Sequence, residues 1–284
     1  MSLADFTRST GRATDLRVRI EGEEWLCIAG YDTMAPFLMS IPSETDLWMF
    51  VSSTGGVTAG RVSPDGSLFP YVTVDQLHDA HEHSGPITLL RVRRGRGPAM
   101  LWQPFRAPGE APEGIERNLY KNAIGNRVLF EEIHRGLGLV FRARWSAAGP
   151  LGHVRTCTLH NAGDEPVEVD VLDGVRNVLP FGAPLSLYQH SSSLVDAYKR
   201  TECDPATGMT IHALTSRITD RAEAAEMLRA NVVWTTGLPV RAIALSLDAV
   251  RAFRRGEAPR GETLALGRRG HHLSCATLEL APRT

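Results

Sequence analysis

The sequence predicts a mainly β protein, a large antiparallel sandwich carrying a few short helices. Three observations predict it. Short β-prone runs recur along the first two thirds of the chain, each bounded by Gly, Pro, Asn or Asp. Several alternate apolar and polar residues with a period of two, the pattern of a strand with one buried face. Hydrophobic residues make up 43% and charged residues 22%, which gives a core to bury, yet no stretch approaches the roughly 18 apolar residues of a membrane helix. All-β sandwiches reach roughly 200–250 residues as one unit, so a single domain over 1–284 is expected, with an N-terminal extension over about 1–15.

The elements follow in order. Leu16 to Ile20, Trp25 to Ala29, Asp46 to Ser52, Val57 to Val62, Ile87 to Val92 and Met100 to Phe105 read as strands between turn residues. The stretch from Pro104 to Gly114 holds three prolines and reads as a loop. Arg127 to His134 and Leu139 to Trp145, separated by Gly136 and Gly138, read as a hairpin with Leu139, Phe141, Ala143 and Trp145 on one face. Gly152 to Val175 reads as a second hairpin, turned by Asn161-Ala162-Gly163-Asp164-Glu165-Pro166. Helical signals are fewer: Leu185 to Lys199, Ala222 to Ala230, and Asp248 to Arg254 with Asp248 as N-cap. Met209 to Thr215, Val232 to Thr236 and Leu273 to Leu280 return to strand character, the last expected to close a sheet begun near the N-terminus.

Charge narrows the function classes. With 31 basic against 32 acidic residues the net charge is −1, so no global field steers nucleic acid or an anionic membrane to the chain. Arg91, Arg93, Arg94 and Arg96 form a local cluster, read as a solvated strand end. Nothing near Met1 resembles a secretory signal, so a cytoplasmic location is expected. Cys27, Cys157, Cys203 and Cys275 are scattered singly, with no spacing of a zinc knuckle or redox pair, and read as reduced, mostly buried small hydrophobes.

The densest polar constellation is Asp75, His78, Asp79, His81, Glu82 and His83. Imidazole and carboxylate together bind divalent metals or move protons near neutral pH, but this spacing fits no defined metal motif, so the segment reads as a loop facing substrate or an interface and no metal is expected. Gly55-Gly56 and Gly60 precede Arg61 at a sheet corner and open a strand, which argues against a phosphate loop. Among five tryptophans and five tyrosines one or two are expected to face a sugar; Tyr71 and Trp102, each beside a proline at a strand end, are the better candidates. Candidates for the paired carboxylates of glycoside hydrolysis are Glu131-Glu132, Asp170 with Asp173, and Asp196. Adjacent strand residues face opposite ways, so Glu131 and Glu132 form no dyad, and neither do Asp170 and Asp173 on a regular strand. No catalytic residue and no cofactor is expected.

The segments Asp46 to Ser53, Gly55 to Arg61, Leu68-Phe69-Pro70-Tyr71, Glu116 to Asn122, Gly125-Asn126, Phe130-Glu131-Glu132, Leu172-Asp173-Gly174, Asn177-Val178-Leu179-Pro180 and Asp196 to Arg200 resemble the N-terminal region of bacterial cellobiose-phosphorylase-like proteins, which include glycoside phosphorylases and cyclic β-glucan synthase-like enzymes. The likeness spans residues 35 to 240. It implies a β-supersandwich of the galactose-mutarotase-like type, preceding a helical catalytic domain that this chain is too short to contain. The function it implies is that of a non-catalytic domain shaping a sugar site and a domain or homodimer interface. Implied partners are an oligosaccharide or β-glucan, the helical catalytic domain and a second copy, but neither nucleic acid nor membrane. Substrate contacts are expected at Arg61, Tyr71, His78, His81, His83 and Trp102. Two other readings stay open: a free-standing aldose epimerase using His153 or His160 with Glu131 or Asp173 as proton shuttle, and a glycan- or protein-binding module using the Asp75 to His83 loop.

Overall fold

The computed structural model describes residues 17–95, 97–106 and 113–284. Its strands in chain order are β1 (Arg17–Ile20), β2 (Glu23–Ala29), β3 (Leu38–Ile41), β4 (Leu47–Ser52), β5 (Val57–Arg61), β6 (Gly85–Arg93), β7 (Met100–Trp102), β8 (Ile115–Asn122) and β9 (Arg127–His134). They continue as β10 (Leu139–Ala147), β11 (His153–Asn161), β12 (Val167–Val178), β13 (Lys199–Cys203), β14 (Thr210–Leu214), β15 (Asn231–Val233), β16 (Ala242–Ala244), β17 (Leu264–Leu266) and β18 (Gly270–Leu280). Three helices interrupt them: α1 (Val74–Asp79), α2 (Leu185–Tyr198) and α3 (Asp248–Arg254). With 44% strand and 16% helix in antiparallel sheets, the protein is mainly β as the sequence predicts. The chain divides into two compact units, one gathering the residues up to Gly55 with Val92–Val169 and Glu279–Thr284, the other Gly56–Arg91 with Asp170–Leu278.

The first unit is built on a six-stranded sheet of order β1-β2-β8-β9-β10-β11. The alternation of β10 is realised: Leu139, Phe141, Ala143 and Trp145 are buried on one face, while Arg142 and Arg144 stay half-buried on the other. The buried face carries an aromatic core in which Phe105 meets Phe130 and Phe141, and Tyr31 meets Phe130 edge-on at 5.8 Å. On the opposite face Trp25, Tyr120 and Leu129 cluster with Val18 and Ile20. β9 and β10 form the expected hairpin, with Leu139 paired to His134 and Gly138 in the left-handed region at the turn.

The second unit holds the run β16-β18-β12-β6 of a five-stranded sheet and a separate four-stranded sheet, β15-β14-β13-β17. β6 is buried on both faces, as its run Ile87-Thr88-Leu89-Leu90 suggests. Helix α3 covers one face: Ala249, Val250 and Phe253 pack on Ile87, Leu89, Leu172 and Leu273. The guanidinium of Arg91 lies 5.1 Å from the Phe253 ring centre and donates to Asp170, which also accepts from Thr277. β12 and β18 approach so closely at Gly174 that an added Cβ would sit 1.9 Å from the His272 carbonyl oxygen.

Several expectations are corrected. β11 and β12 are not a hairpin: β11 pairs with β10 at the edge of the six-stranded sheet, while β12 lies between β18 and β6. Their similar alternation reports a half-buried face, not a shared partner. Asn161 makes the crossing, accepting from Gly163 N and donating to Glu165 O and Ala281 O. β18 pairs with β16 and β12 rather than with the N-terminal strands. Residues 222–230 form no helix, since Leu228 is 93% exposed and the segment has no apolar stripe to bury. Conversely, Val74–Asp79, read as loop, is a helix anchored by buried Leu77. The N-cap of α3 is Leu247, with Asp248 in the first turn. Of the cysteines, all free, only Cys275 is buried. Arg91, Arg93 and Arg94 are not merely solvated: they bind Asp170, Glu168 and the Leu137 carbonyl. Arg96, the extension over 1–15, Leu16 and the loop prolines Pro108 and Pro112 lie outside the described residues.

Candidate functional site

Five of the six expected substrate contacts fall in the second unit. Arg61 ends β5 and is half-buried. Tyr71, 39% exposed, follows a segment tied down by Leu68 N to Ala59 O at 2.7 Å and by Leu179 N to Leu68 O at 2.9 Å. His78 sits on α1, and its carbonyl lies 3.0 Å from His81 Nδ1; the His83 ring is exposed, 3.9 Å from Glu82. One side chain fixes this segment. Arg176, on β12 and buried, donates to the carbonyls of His81 at 2.5 Å, Glu82 at 2.8 Å, and Ser84 and Pro86 at 3.2 Å. With carbonyls rather than a carboxylate around it, burial brings the Arg176 pKa down to about 10. The structure therefore gathers His78, His81 and His83 on one short clamped segment. Among the described residues no group of His, Cys, Asp or Glu side chains is arranged to hold a metal ion.

Trp102 belongs to the first unit and is interior. It is 4% exposed, its ring meets His134 and Phe141 edge-on, and its Nε1 donates to Glu132 at 2.6 Å. That leaves no face for a sugar. Its partner is part of a saturated network. Glu132 also accepts from Phe105 N at 2.7 Å and Arg117 Nε at 2.8 Å, while Arg117 reaches the Arg106 carbonyl at 2.7 Å and Asp32 at 3.6 Å. On the opposite face Glu131 accepts from Asn118 at 2.9 Å, Tyr120 OH at 2.8 Å and Arg142 Nε at 2.7 Å. Burial, with the Glu131 charge beside it, raises the Tyr120 pKa far above the phenol range, so its proton stays on the donor oxygen. Both carboxylates thus serve as hydrogen-bond acceptors, back to back across the sheet.

A buried cluster of titratable side chains lies in the second unit, assembled from strands that are distant in sequence. The four-stranded sheet turns Lys199, Thr201, Thr210 and His212 inward, and β18 brings His271, His272 and Ser274. Gly270 allows the approach: a Cβ there would stand 2.1 Å from Thr201 Oγ1 and 2.6 Å from His212 Nδ1. Thr210 Oγ1 donates to Val233 O and lies 3.1 Å from His212 Nε2 and 3.0 Å from His272 Nδ1, so both imidazole nitrogens donate to it. His272 Nε2 then accepts from Thr235 at 2.9 Å, and Thr235 accepts from Ser274 at 2.9 Å. With one nitrogen donating and the other accepting, His272 is the neutral imidazole, and Thr201 Oγ1, 3.4 Å from His212 Nδ1, is placed to donate to that ring's second nitrogen. Burial, then the neighbouring imidazoles, lowers the pKa of His212 to about 3; burial lowers His272 to about 4, and burial with the Arg176 charge lowers His271 to about 4. His271 Nδ1 accepts from the backbone of Asn177, whose φ of 51° is left-handed. Lys199, also buried, is held by Asp196 at 2.7 Å.

A signal for this cluster was present. Thr210-x-His212 and His272-x-Ser274 place polar residues on one strand face at a period of two, a fainter signal than a cluster contiguous in sequence such as Asp75 to His83. Of the two epimerase candidates, His160 shares a sheet face with Glu131 but is separated from it by Arg142, whose charge adds to burial in lowering the His160 pKa. No family model matches the chain, and no curated protein matches it either.

Proposed function

We propose that the chain is a carbohydrate-binding module of the galactose-mutarotase-like sandwich type, serving a glycoside-phosphorylase-like enzyme without supplying its catalytic acid. The observation that carries the non-catalytic half is the state of Glu131 and Glu132: each carboxylate is buried, accepts three donors and faces away from the other. A glycosidic acid and its partner must flank one bond. The buried imidazoles are likewise neutral, His212 and His272 held by hydroxyls and His271 by the backbone N–H of Asn177. The carbohydrate half is supported by the resemblance of the sequence segments to cellobiose-phosphorylase-like proteins and by Tyr71, whose exposed ring stands in the same unit as Arg61 and the clamped His78 to His83 segment. The chemistry belongs, in this reading, to a helical partner domain.

Isothermal titration of the chain with glucose, cellobiose, laminaribiose and short β-glucans, with and without phosphate, tests it. The expected result is binding in the millimolar range that weakens at least about tenfold in Tyr71→Ala, with no interconversion of anomers. Silence toward every sugar overturns the reading.

A further inference from the structure

Of the three interior imidazoles, His271 is the one that accepts from a peptide N–H: Asn177 N donates to its Nδ1 at 3.2 Å. The hydroxyls of Thr201 and Thr235, which face His212 and His272, can turn from donor to acceptor when a ring gains a proton; a peptide N–H cannot. A protonated His271 therefore sets N–H against N–H, and the contact must open. Asn177 is a residue that needs holding: its φ of 51° is left-handed, and its buried Oδ1 finds no donor among the described residues. The contacts beside it fix other segments. Arg176 clamps the carbonyls of His81, Glu82, Ser84 and Pro86, while Leu179 N donates to Leu68 O at 2.9 Å and Leu179 O accepts from Asn231 Nδ2 at 2.8 Å.

We propose that His271 is a local acid switch: its protonation breaks the contact with Asn177 and frees residues 176–180, loosening the Leu68 to Tyr71 segment hung on Leu179 and the 81–86 turn clamped by Arg176. The charged groups facing His271 are Arg176 from β12, Lys199 from β13, and Arg268 and Arg269 from the turn before β18, with neutral His212 on β14. The carboxylates nearby are taken. Asp196 of α2 is shared by Lys199 at 2.7 Å and Arg269 at 3.4 Å, and Glu262 lies 3.8 Å from Arg268. A proton on His271 thus adds a further positive charge to a set already in excess. Burial, then the charges of Arg176, Arg269, Lys199 and Arg268, lowers the His271 pKa to about 4 while the contact is closed, and opening returns it toward 6.5. The open form binds the proton more tightly, so the closed form is fully favoured above about pH 6.5, and opening grows by up to about tenfold per pH unit as pH falls from there toward 4. Tyr71 and the His78 to His83 segment are the expected sugar contacts, so a sugar held at neutral pH is released in acid; this consequence rests on the carbohydrate reading, and the opening itself does not.

Hydrogen exchange of the chain between about pH 7.5 and 5, corrected for intrinsic rates, tests the switch. The expected result is that protection over residues 68–86 and 176–180 falls at least about tenfold further than protection over residues 87–91 of the same unit. His271→Asn keeps an acceptor oxygen where Nδ1 stood but takes up no proton, so those segments are expected to stay closed at pH 5. Equal loss of protection across the unit in the wild-type chain overturns the proposal, whether or not the variant folds. A pH response unchanged in His271→Asn overturns it as well. Titration with the same sugars at pH 7.5 and 5 reads the consequence: binding is expected to weaken at pH 5 in the wild-type chain and not in His271→Asn. Equal binding at both pH values overturns the control of sugar release, whereas no binding at either overturns the carbohydrate reading and leaves the exchange result to decide the switch.

Discussion

Glu132 is fully buried with three donors on its two oxygens, and Arg117, 4% exposed, is one of them. Removing one partner of such a pair leaves the other charge buried and uncompensated, which costs more than the pair itself contributes. Glu132→Ala is therefore expected to destabilise the chain by about 3–5 kcal/mol, read as a shift in the urea midpoint. Glu131→Ala, whose partner Arg142 keeps a 16% exposed side chain, is expected to cost less. The sequence places these two glutamates on opposite faces correctly, because period-two geometry needs nothing beyond the strand itself. It could not place Trp102: a proline neighbour at a strand end looks the same whether the indole N–H meets water or a buried carboxylate.

At the scale of elements, the short helix α1 shows how a polar segment acquires a fixed course. Its own residues bury little besides Leu77, and its downstream turn is held by the four carbonyl contacts of Arg176. Arg176→Met keeps the apolar stem and removes every donor, so faster hydrogen exchange is expected over residues 74–86, with little change across the six-stranded sheet. Unchanged exchange there would mean the clamp is not what orders the segment. Strands were the legible elements, since alternation and turn residues are local. Pairing was legible for the tight β9–β10 hairpin but not beyond it: the run before Asn161 and the run after Pro166 look like two arms of one hairpin, and only contacts with residues 85–93 and 270–280 send β12 elsewhere. The hydroxyl–imidazole cluster escaped for the same reason, its members coming from four separate stretches of chain.

Taken over the whole molecule, the three interior histidines tie stability to pH. His212, His271 and His272 stay neutral when folded, with pKa values lowered to about 3, 4 and 4, and protonate near pH 6.5 when unfolded. Between about pH 6.5 and 4 the unfolded chain thus binds more protons, so stability is full above this window and is lost as pH falls through it. Each imidazole adds up to about 1.4 kcal/mol per pH unit to the slope. Denaturation midpoints measured from pH 7.5 to 4.5 should fall steeply, and His272→Gln should flatten the profile; a level profile would mean the rings do not stay neutral. The position of β18 has one more consequence. It lies between β16 and β12, yet roughly ninety residues separate the end of β12 from its start. At about 5–20 residues per second a ribosome needs on the order of ten seconds to deliver that strand, during which the edge of β12 lacks its partner. Newborn chains thus carry an open strand edge for as long as they wait, so aggregation is expected to rise where translation of the intervening stretch is slowed.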